Sequence, residues 1–202
     1  GTPELIDYFQ LFTEIADASD GTEDARQIHY VMTNGSQRSR IEHNATETVI
    51  NEDSVDVDFR VESDGNANML FVNAGDNEIG IGTNDPSATL HVVGNVIATT
   101  DTDTSNTGNV TLDFATNQNF VLTLTGNTTL VNPSTEVVGQ SGFIVCIQDG
   151  TGSRTLSLGT DYETAGGAGI TLSTAASATD IIPYVVAAAN RILLGAPQLA
   201  FS

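Results

Sequence analysis

The chain has 202 residues, which is enough for one domain of ordinary size or two small ones. It contains 26 acidic residues against 6 basic residues, all of them arginine, so its formal net charge is -20. A surface this acidic repels nucleic acid and anionic membranes, and both are excluded as expected partners. No stretch reaches the ~18 apolar residues that a membrane-spanning helix needs, so no membrane insertion is expected.

The first seventeen residues are compatible with two structures. Thr2-Pro3-Glu4 has the pattern of a helix start, with an N-cap residue, a proline at the first helical position and an acid in the first turn. Apolar residues then recur at helical spacing up to Ala16, but the residues from Phe9 to Ile15 also alternate as they would in a strand. The pattern leaves residues 3–16 open between helix and strand.

Short strands are predicted through the rest of the first half, residues 1–98. Asn34-Gly35 lies between two strand-like segments and indicates a β-hairpin. From Val55 to Glu62, apolar and charged residues alternate strictly, which is typical of a strand with one solvent-facing side. Strands this short leave an apolar face that one chain cannot cover. We therefore expect identical copies to cover it, most simply in a trimer with a shared core.

The composition changes at residues 99–108, TTDTDTSNTG, where nothing can anchor a core. We interpret this segment as a linker. Beyond it, residues 109–202 contain longer apolar segments separated by turns such as Asp149-Gly150 and Gly166-Gly167. This pattern predicts a globular domain, an antiparallel β-sandwich or a jelly-roll-like fold. The whole chain is therefore predicted to be all-β.

The segment Gly80-Ile81-Gly82 fits the first two glycines of a dinucleotide-binding fingerprint. The position of the third glycine is occupied by Asp85, whose charge would repel phosphate, and a strand pattern follows instead of a helix. The chain also has no lysine for a Walker motif. We interpret the two glycines as sites of close backbone packing, and no cofactor is expected.

Signals for metal binding and catalysis are weak. The three histidines have no partners at metal-ligand spacing. Asp101 and Asp103 resemble the start of a calcium loop, but the acid that should close the loop is replaced by Leu112, so they are only weak metal candidates. No Gly-x-Ser-x-Gly elbow is present. No catalytic residue is assigned, and the protein is not expected to be an enzyme.

Two groups of segments resemble those of a known family. The first group consists of Asp53 to Asn68, Leu70-Phe71-Val72-Asn73, and Gly80-Ile81-Gly82-Thr83 with Leu90-His91-Val92. The second group consists of Gly139 to Ile144 and Gln148 to Leu156. The first group resembles modules of bacteriophage tail-fibre and related virion proteins. The second is similar to a C-terminal β-domain of such fibres.

The resemblance implies a homotrimer in the virion. Residues 1–98 would form an elongated, intertwined β fibre, and residues 109–202 its globular tip. The fibre would contact other virion proteins and attach to a glycan or protein on the host surface. The resemblance favours a strand for Phe9 to Asp17. The residues expected to pack the trimer are Phe59, Val61, Phe71, Ile79, Gly80, Ile81, Gly82 and Leu90.

A receptor site at the tip would use exposed polar and aromatic side chains, because sugar binding combines stacking with hydrogen bonding. Arg154, Asp161 and Tyr162 are the candidates in the polar segment from Ser153 to Gly169. Three alternatives stay open: a head-decoration or head-fibre protein that binds the capsid, a tailspike glycosidase with two carboxylates in a cleft, and a bacterial surface adhesin.

Overall fold

The computed structural model of the chain describes residues 8–201. These residues form sixteen β-strands, arranged in three sheets, and one short 3-10 helix at Ala165–Gly167. The predicted all-β class is confirmed. The helix start predicted at Thr2-Pro3-Glu4 lies outside the described residues. Across residues 8–201, no helix has the length and apolar character needed to cross a membrane.

The chain divides into a first unit, Gly1–Val96, and a second unit, Ile97–Ser202. The first unit begins with an antiparallel sheet in the order β1-β2-β3-β4. Its strands are β1 (Phe9–Asp17), β2 (Asp24–Thr33), β3 (Ser36–His43) and β4 (Thr48–Ile50).

The two local predictions for this sheet are confirmed. Of the segment left open between helix and strand, residues 9–16 lie in β1, as the resemblance favoured, and every residue from Phe9 to Ile15 pairs with a residue of β2. The hairpin at Asn34-Gly35 joins β2 and β3, and both of its residues have positive φ, 49° and 76°. That conformation is the one that Asn-Gly favours in a two-residue hairpin turn.

The second sheet of the first unit has the order β5-β6-β7-β8. Its β5–β6 and β6–β7 pairs are antiparallel, whereas β7 and β8 are parallel. Its strands are β5 (Phe59–Ser63), β6 (Asn66–Asn73), β7 (Glu78–Ile81) and β8 (Leu90–Val92).

The second unit is built on one eight-stranded sheet. The path β12-β10-β11-β14-β15-β13 is extended by β9, which pairs with β10, and by β16, which pairs with β14. Its strands are β9 (Thr100–Val110), β10 (Asn119–Leu130), β11 (Ser141–Gln148), β12 (Leu156–Leu158), β13 (Tyr162–Thr164), β14 (Thr179–Ala188), β15 (Arg191–Leu194) and β16 (Gln198–Phe201).

The strand pairing of this sheet corrects the antiparallel arrangement predicted from sequence. Only the pairs made by β14 are antiparallel. β10 runs parallel to β9, β11 and β12, and β13 runs parallel to β15. The connections 111–118 and 131–140 return the chain to the same end of the sheet, which parallel pairing requires. Turn residues mark strand ends, but they do not fix strand direction.

The linker predicted at residues 99–108 is also corrected, because this segment lies almost entirely within β9. Its polar side chains cannot anchor a core, but its main chain pairs with β10, and its threonines favour extended structure. Asn106 is buried at a register shift, where its side-chain amide donates to the carbonyls of Asp103 and Thr123, both at 3.1 Å. Polar composition therefore hid a strand that pairs with β10 along the edge of the sheet.

The second unit has a large apolar core on one side of its sheet. Alternate residues of β10, β11 and β14 point into it, and Leu112, Phe114 and Leu172 from the connecting segments cover it. The rings of Phe114 and Tyr184 meet edge to face, with centroids 5.3 Å apart. Cys146 is buried in this core, and burial raises the pKa of its thiol to about 12. At this position Cys146 packs as a small apolar residue of the core.

The first unit buries far less. Among its described residues, Ile28 and Phe71 are the only buried large apolar side chains. Many other large apolar side chains of its strands stay exposed to solvent. A chain that buries so little apolar surface gains little folding free energy by itself.

Candidate functional site

The strand register of the second sheet gathers apolar side chains on one face. Phe59 pairs with Val72, Val72 with Ile79, and Ile79 with Leu90, so these four lie in one row. Directly paired residues of neighbouring strands share a face of the sheet. The whole group, named here the β5–β8 apolar face, is Phe59, Val61, Leu70, Val72, Ile79, Ile81, Leu90 and Val92.

None of these eight side chains is buried. Leu90 is 61% exposed, Val61 42% and Ile79 40%. The face carries no charged residue, although the chain is strongly acidic. Five of the residues predicted to pack the trimer therefore lie together on one uncovered apolar face: Phe59, Val61, Ile79, Ile81 and Leu90.

The other predicted packing residues have contacts within the chain. Phe71 and Gly80 pair on the opposite face of the sheet, and Phe71 is buried there. A Cβ on Gly80 would collide with the carbonyl oxygen of Thr83. Gly82 has a φ of 79°, and a Cβ there would lie 3.0 Å from the carbonyl oxygen of Val93. These glycines allow close approach within one chain, and their role between chains stays a prediction.

The first sheet has an uncovered apolar face of its own, which the sequence analysis did not assign to packing. Ile15 is 74% exposed, Phe9 63% and Leu11 51%. His29 lies on the same face, where its ring meets those of Phe9 and His43 edge to face at 6.4 and 6.2 Å. The strand pattern of β1 predicts this face, because alternate residues of a strand point to the same side of the sheet. The sequence left strand and helix open for this segment, so the face was not assigned.

The opposite face of the first sheet is charged. Arg26 contacts Glu14 at 2.7 Å and Glu42 at 3.6 Å. Glu42 is almost completely buried, and its charge is paired with that of Arg26. The sheet is therefore amphipathic, with a polar side held together by ion pairs and an apolar side open to a partner.

The weak metal candidates show no metal-site geometry. Asp101 and Asp103 lie on β9, and the Asp103 carboxylate accepts a hydrogen bond from the Ser105 main chain at 3.1 Å. Within residues 8–201, no group of three or more His, Cys, Asp or Glu side chains is placed to hold a metal ion.

The three predicted receptor residues do not form an exposed site. The prediction is wrong for Tyr162, which is buried in the core of the second unit, where its ring cannot stack on a sugar. Burial raises the pKa of its phenol, and the charges of Glu136 and Asp161 raise it further. Asp161 is also buried, and its main-chain nitrogen donates to the Asn132 side chain at 3.1 Å. Polar composition alone could not separate these buried residues from surface ones.

Arg154 is held in a rigid turn next to β11. Its guanidinium donates two hydrogen bonds to one Asp149 carboxylate oxygen, at 2.8 and 3.2 Å. The buried side chain of Gln148 accepts from the Arg154 main-chain nitrogen at 2.8 Å and donates to its carbonyl oxygen at 2.9 Å. The turn presents a half-buried, already paired arginine to the surface.

Asp149 is expected to contribute acid-sensitive stability to this turn. The Arg154 hydrogen bonds, and those from the main chain of Gly152 and Thr151, lower the pKa of Asp149 from 3.8 to about 2. Because the folded pKa lies below the unfolded value, the contribution is present above about pH 4 and is lost as the pH falls to about 2. Asp149→Asn should therefore flatten the pH dependence of the free energy of unfolding between pH 4 and 2.

Urea denaturation at a series of pH values would measure this effect. NMR titration of the Asp149 carboxyl provides an independent control, because Arg154→Gln should raise its midpoint towards the ordinary value. An unchanged midpoint in the Arg154 variant would contradict the assignment.

A groove of about 610 Å³ lies beside this turn region, between the strands β12 and β13 and the segment from Gly167 to Ile170. Its lining includes Ser157, Thr164 and one carboxylate, Glu163. That carboxylate is paired with Arg191 at 2.9 Å. Glycoside hydrolysis uses two carboxylates on either side of the scissile bond, and the lining of this groove supplies one.

Comparison with known proteins gives one match. Residues 99–188 match a family model described as "Putative phage tail fibre C-terminal domain". No curated protein matches the chain, and no solved structure matches it. The matched segment begins just before β9 and ends with β14, so it contains most of the sheet and core of the second unit. The second unit is therefore similar to the C-terminal domain of phage tail fibres, which supports a tail-fibre protein, a component of the virion.

Proposed function

We propose that this chain forms a homotrimeric tail fibre that attaches the phage particle to the host cell surface. The observation that carries the proposal is the β5–β8 apolar face, which has eight apolar side chains and no cover within its own unit. Full burial of one such side chain is worth about 1.5–3 kcal/mol, so the covered face stabilises the first unit substantially.

Identical copies are the partners that fit this face. With a formal net charge of -20 on each chain, close contact between copies is favourable only where the facing surfaces carry no acids. The β5–β8 apolar face meets this condition, as do Phe9, Leu11 and Ile15 on the first sheet. Three copies around an axis, as the tail-fibre resemblance implies, would turn these faces inward and give the first unit the core that it lacks.

The second unit is proposed to be the attachment tip. It has its own core, and its turns are fixed by side-chain hydrogen bonds such as those of Gln148 and Asp149. Rigid loops on a stable scaffold lose little entropy on binding, which suits recognition of a host glycan or protein. The role is structural and non-enzymatic, in keeping with the single paired carboxylate of the groove at Glu163.

Two measurements test this proposal separately. Light scattering after size exclusion, with and without EDTA, should give three times the mass of one chain in both buffers. A mass of one chain would contradict the trimer, and dissociation in EDTA would point to a bound metal.

Attachment is tested with fluorescently labelled full-length chain and host cells. The chain should bind the cells and compete with the phage for adsorption. It should also co-fractionate with purified tails. Saturating chain that leaves phage adsorption unchanged would contradict an attachment role, and co-fractionation with heads would favour the capsid-binding alternative.

A further inference from the structure

The sheet of the second unit has a second apolar face, on the side opposite its core. The buried residues of β10, β11 and β14 alternate with apolar residues that point the other way. The register places these residues side by side across the three strands. This group, named here the outer face, is Val121, Phe143, Val145, Ile181, Pro183 and Val185.

The outer face is not covered by the second unit. Phe143 is 50% exposed and Val185 40%, and none of the group is buried. The strands nevertheless have the sequence of strands that are covered on both sides. Residues 143–147 of β11 read FIVCI and residues 181–186 of β14 read IIPYVV, continuous apolar runs instead of an alternation. Such runs are typical of sheets buried on both faces.

The charge distribution identifies the kind of partner. The second unit has eight acidic residues and two arginines. Beside the outer face lie Glu163 and Arg191, which form an ion pair at 2.9 Å. The outer face itself has no charged residue, so an identical acidic chain can approach it without like-charge repulsion. A basic partner would be attracted to the acidic surfaces of this chain and not to the uncharged outer face.

We propose that the outer face is an interface between second units of neighbouring copies. The inference rests on the proposed homo-oligomer and adds that the tip takes part in it. The three tips would then form one assembly around a shared apolar contact instead of three separate heads. A host ligand would be bound by the remaining surfaces, the polar turns and the groove beside β12 and β13.

Cysteine labelling in the full-length chain tests this interface. Phe143→Cys places a thiol on the outer face, and Val137→Cys places one at a 62% exposed position in the connection between β10 and β11. The native Cys146 gives a low background, because it is buried and its pKa is raised to about 12. The reaction of each variant with a maleimide is followed by mass spectrometry, and its assembly state by light scattering.

In a trimer, Phe143→Cys should react about tenfold more slowly than Val137→Cys, or slower still, because a covered thiol reacts only through transient opening. Adding Val185→Asp to the Phe143→Cys chain should restore fast labelling, whereas adding Val137→Asp should not. A trimer in which both thiols react at equal rates would overturn the outer-face interface and leave the proposed fibre intact. A single-chain mass would overturn both.

Discussion

Ile79→Asp is expected to convert the trimer into single chains. Ile79 lies at the centre of the β5–β8 apolar face, between Val72 on one neighbouring strand and Leu90 on the other. In the proposed trimer the substitution would bury three carboxylates around one axis. An unpaired buried charge costs about 3–5 kcal/mol, and the mutual repulsion of three adds to that cost. Light scattering after size exclusion would show a loss of the trimer mass.

Met69→Asp is the matched control for this prediction. Met69 belongs to the same sheet and has a similar exposure, 44% against 40% for Ile79, but its side chain lies on the opposite face. The same acidic side chain there stays in water, so the trimer should persist. Circular dichroism of both variants checks that the strands are retained. Equal loss of the trimer in both variants, or in neither, would contradict assembly through this face.

In the first unit, local sequence signals agreed with one another and correctly predicted two structural features. Asn34-Gly35 fixed a hairpin because its left-handed conformation is available to few other pairs of residues. The apolar residues Phe59 and Val61 were correctly placed on one face by their alternation, since side chains of a strand alternate with period two. Residues close in sequence carried enough information for both features.

The second unit shows where local signals fail. The segment 99–108 was interpreted as a linker because it lacks apolar residues, yet main-chain pairing with β10 makes it a strand. Strand direction was missed because it depends on crossover paths, which turn residues do not encode. Tyr162 was assigned to a receptor site because its neighbours are polar, but its pairing with Ile192 turns the ring into the core. In each case the deciding partner is distant in sequence.

The assembly residues and the receptor residues depend on different kinds of information, and the packing of a trimer stays a prediction. Assembly faces depend on rows of apolar residues whose alternation is visible in one strand, so five of the predicted packing residues were brought together. A receptor site depends on which polar residues reach the surface. That is settled by long-range packing, as the burial of Asp161 shows.

Asp180→Ala is expected to destabilise the second unit by about 3–5 kcal/mol. Asp180 has no exposed surface and accepts three hydrogen bonds at the start of β14. Two come from the main chain and hydroxyl of Ser173, both at 2.7 Å, and one comes from the main chain of Ala200 at 2.8 Å. Alanine would leave the main-chain donor of the half-buried Ser173 without an acceptor, and it would release β16, at Ala200, from its contact with the carboxylate.

The measurement is urea denaturation at a fixed protein concentration, because the stability of an oligomer depends on concentration. Asp103→Ala is the control: this exposed aspartate accepts one hydrogen bond, from Ser105, and its loss should cost at most about 1 kcal/mol. Asp180→Asn keeps one acceptor oxygen but replaces the other with an amide that faces a donor, so it should fall between alanine and the native chain. If Asp180→Ala costs no more than Asp103→Ala, the carboxylate does not hold Ser173 and Ala200 together, and the end of β16 must be held by other contacts such as the pairing of Phe201 with Thr179.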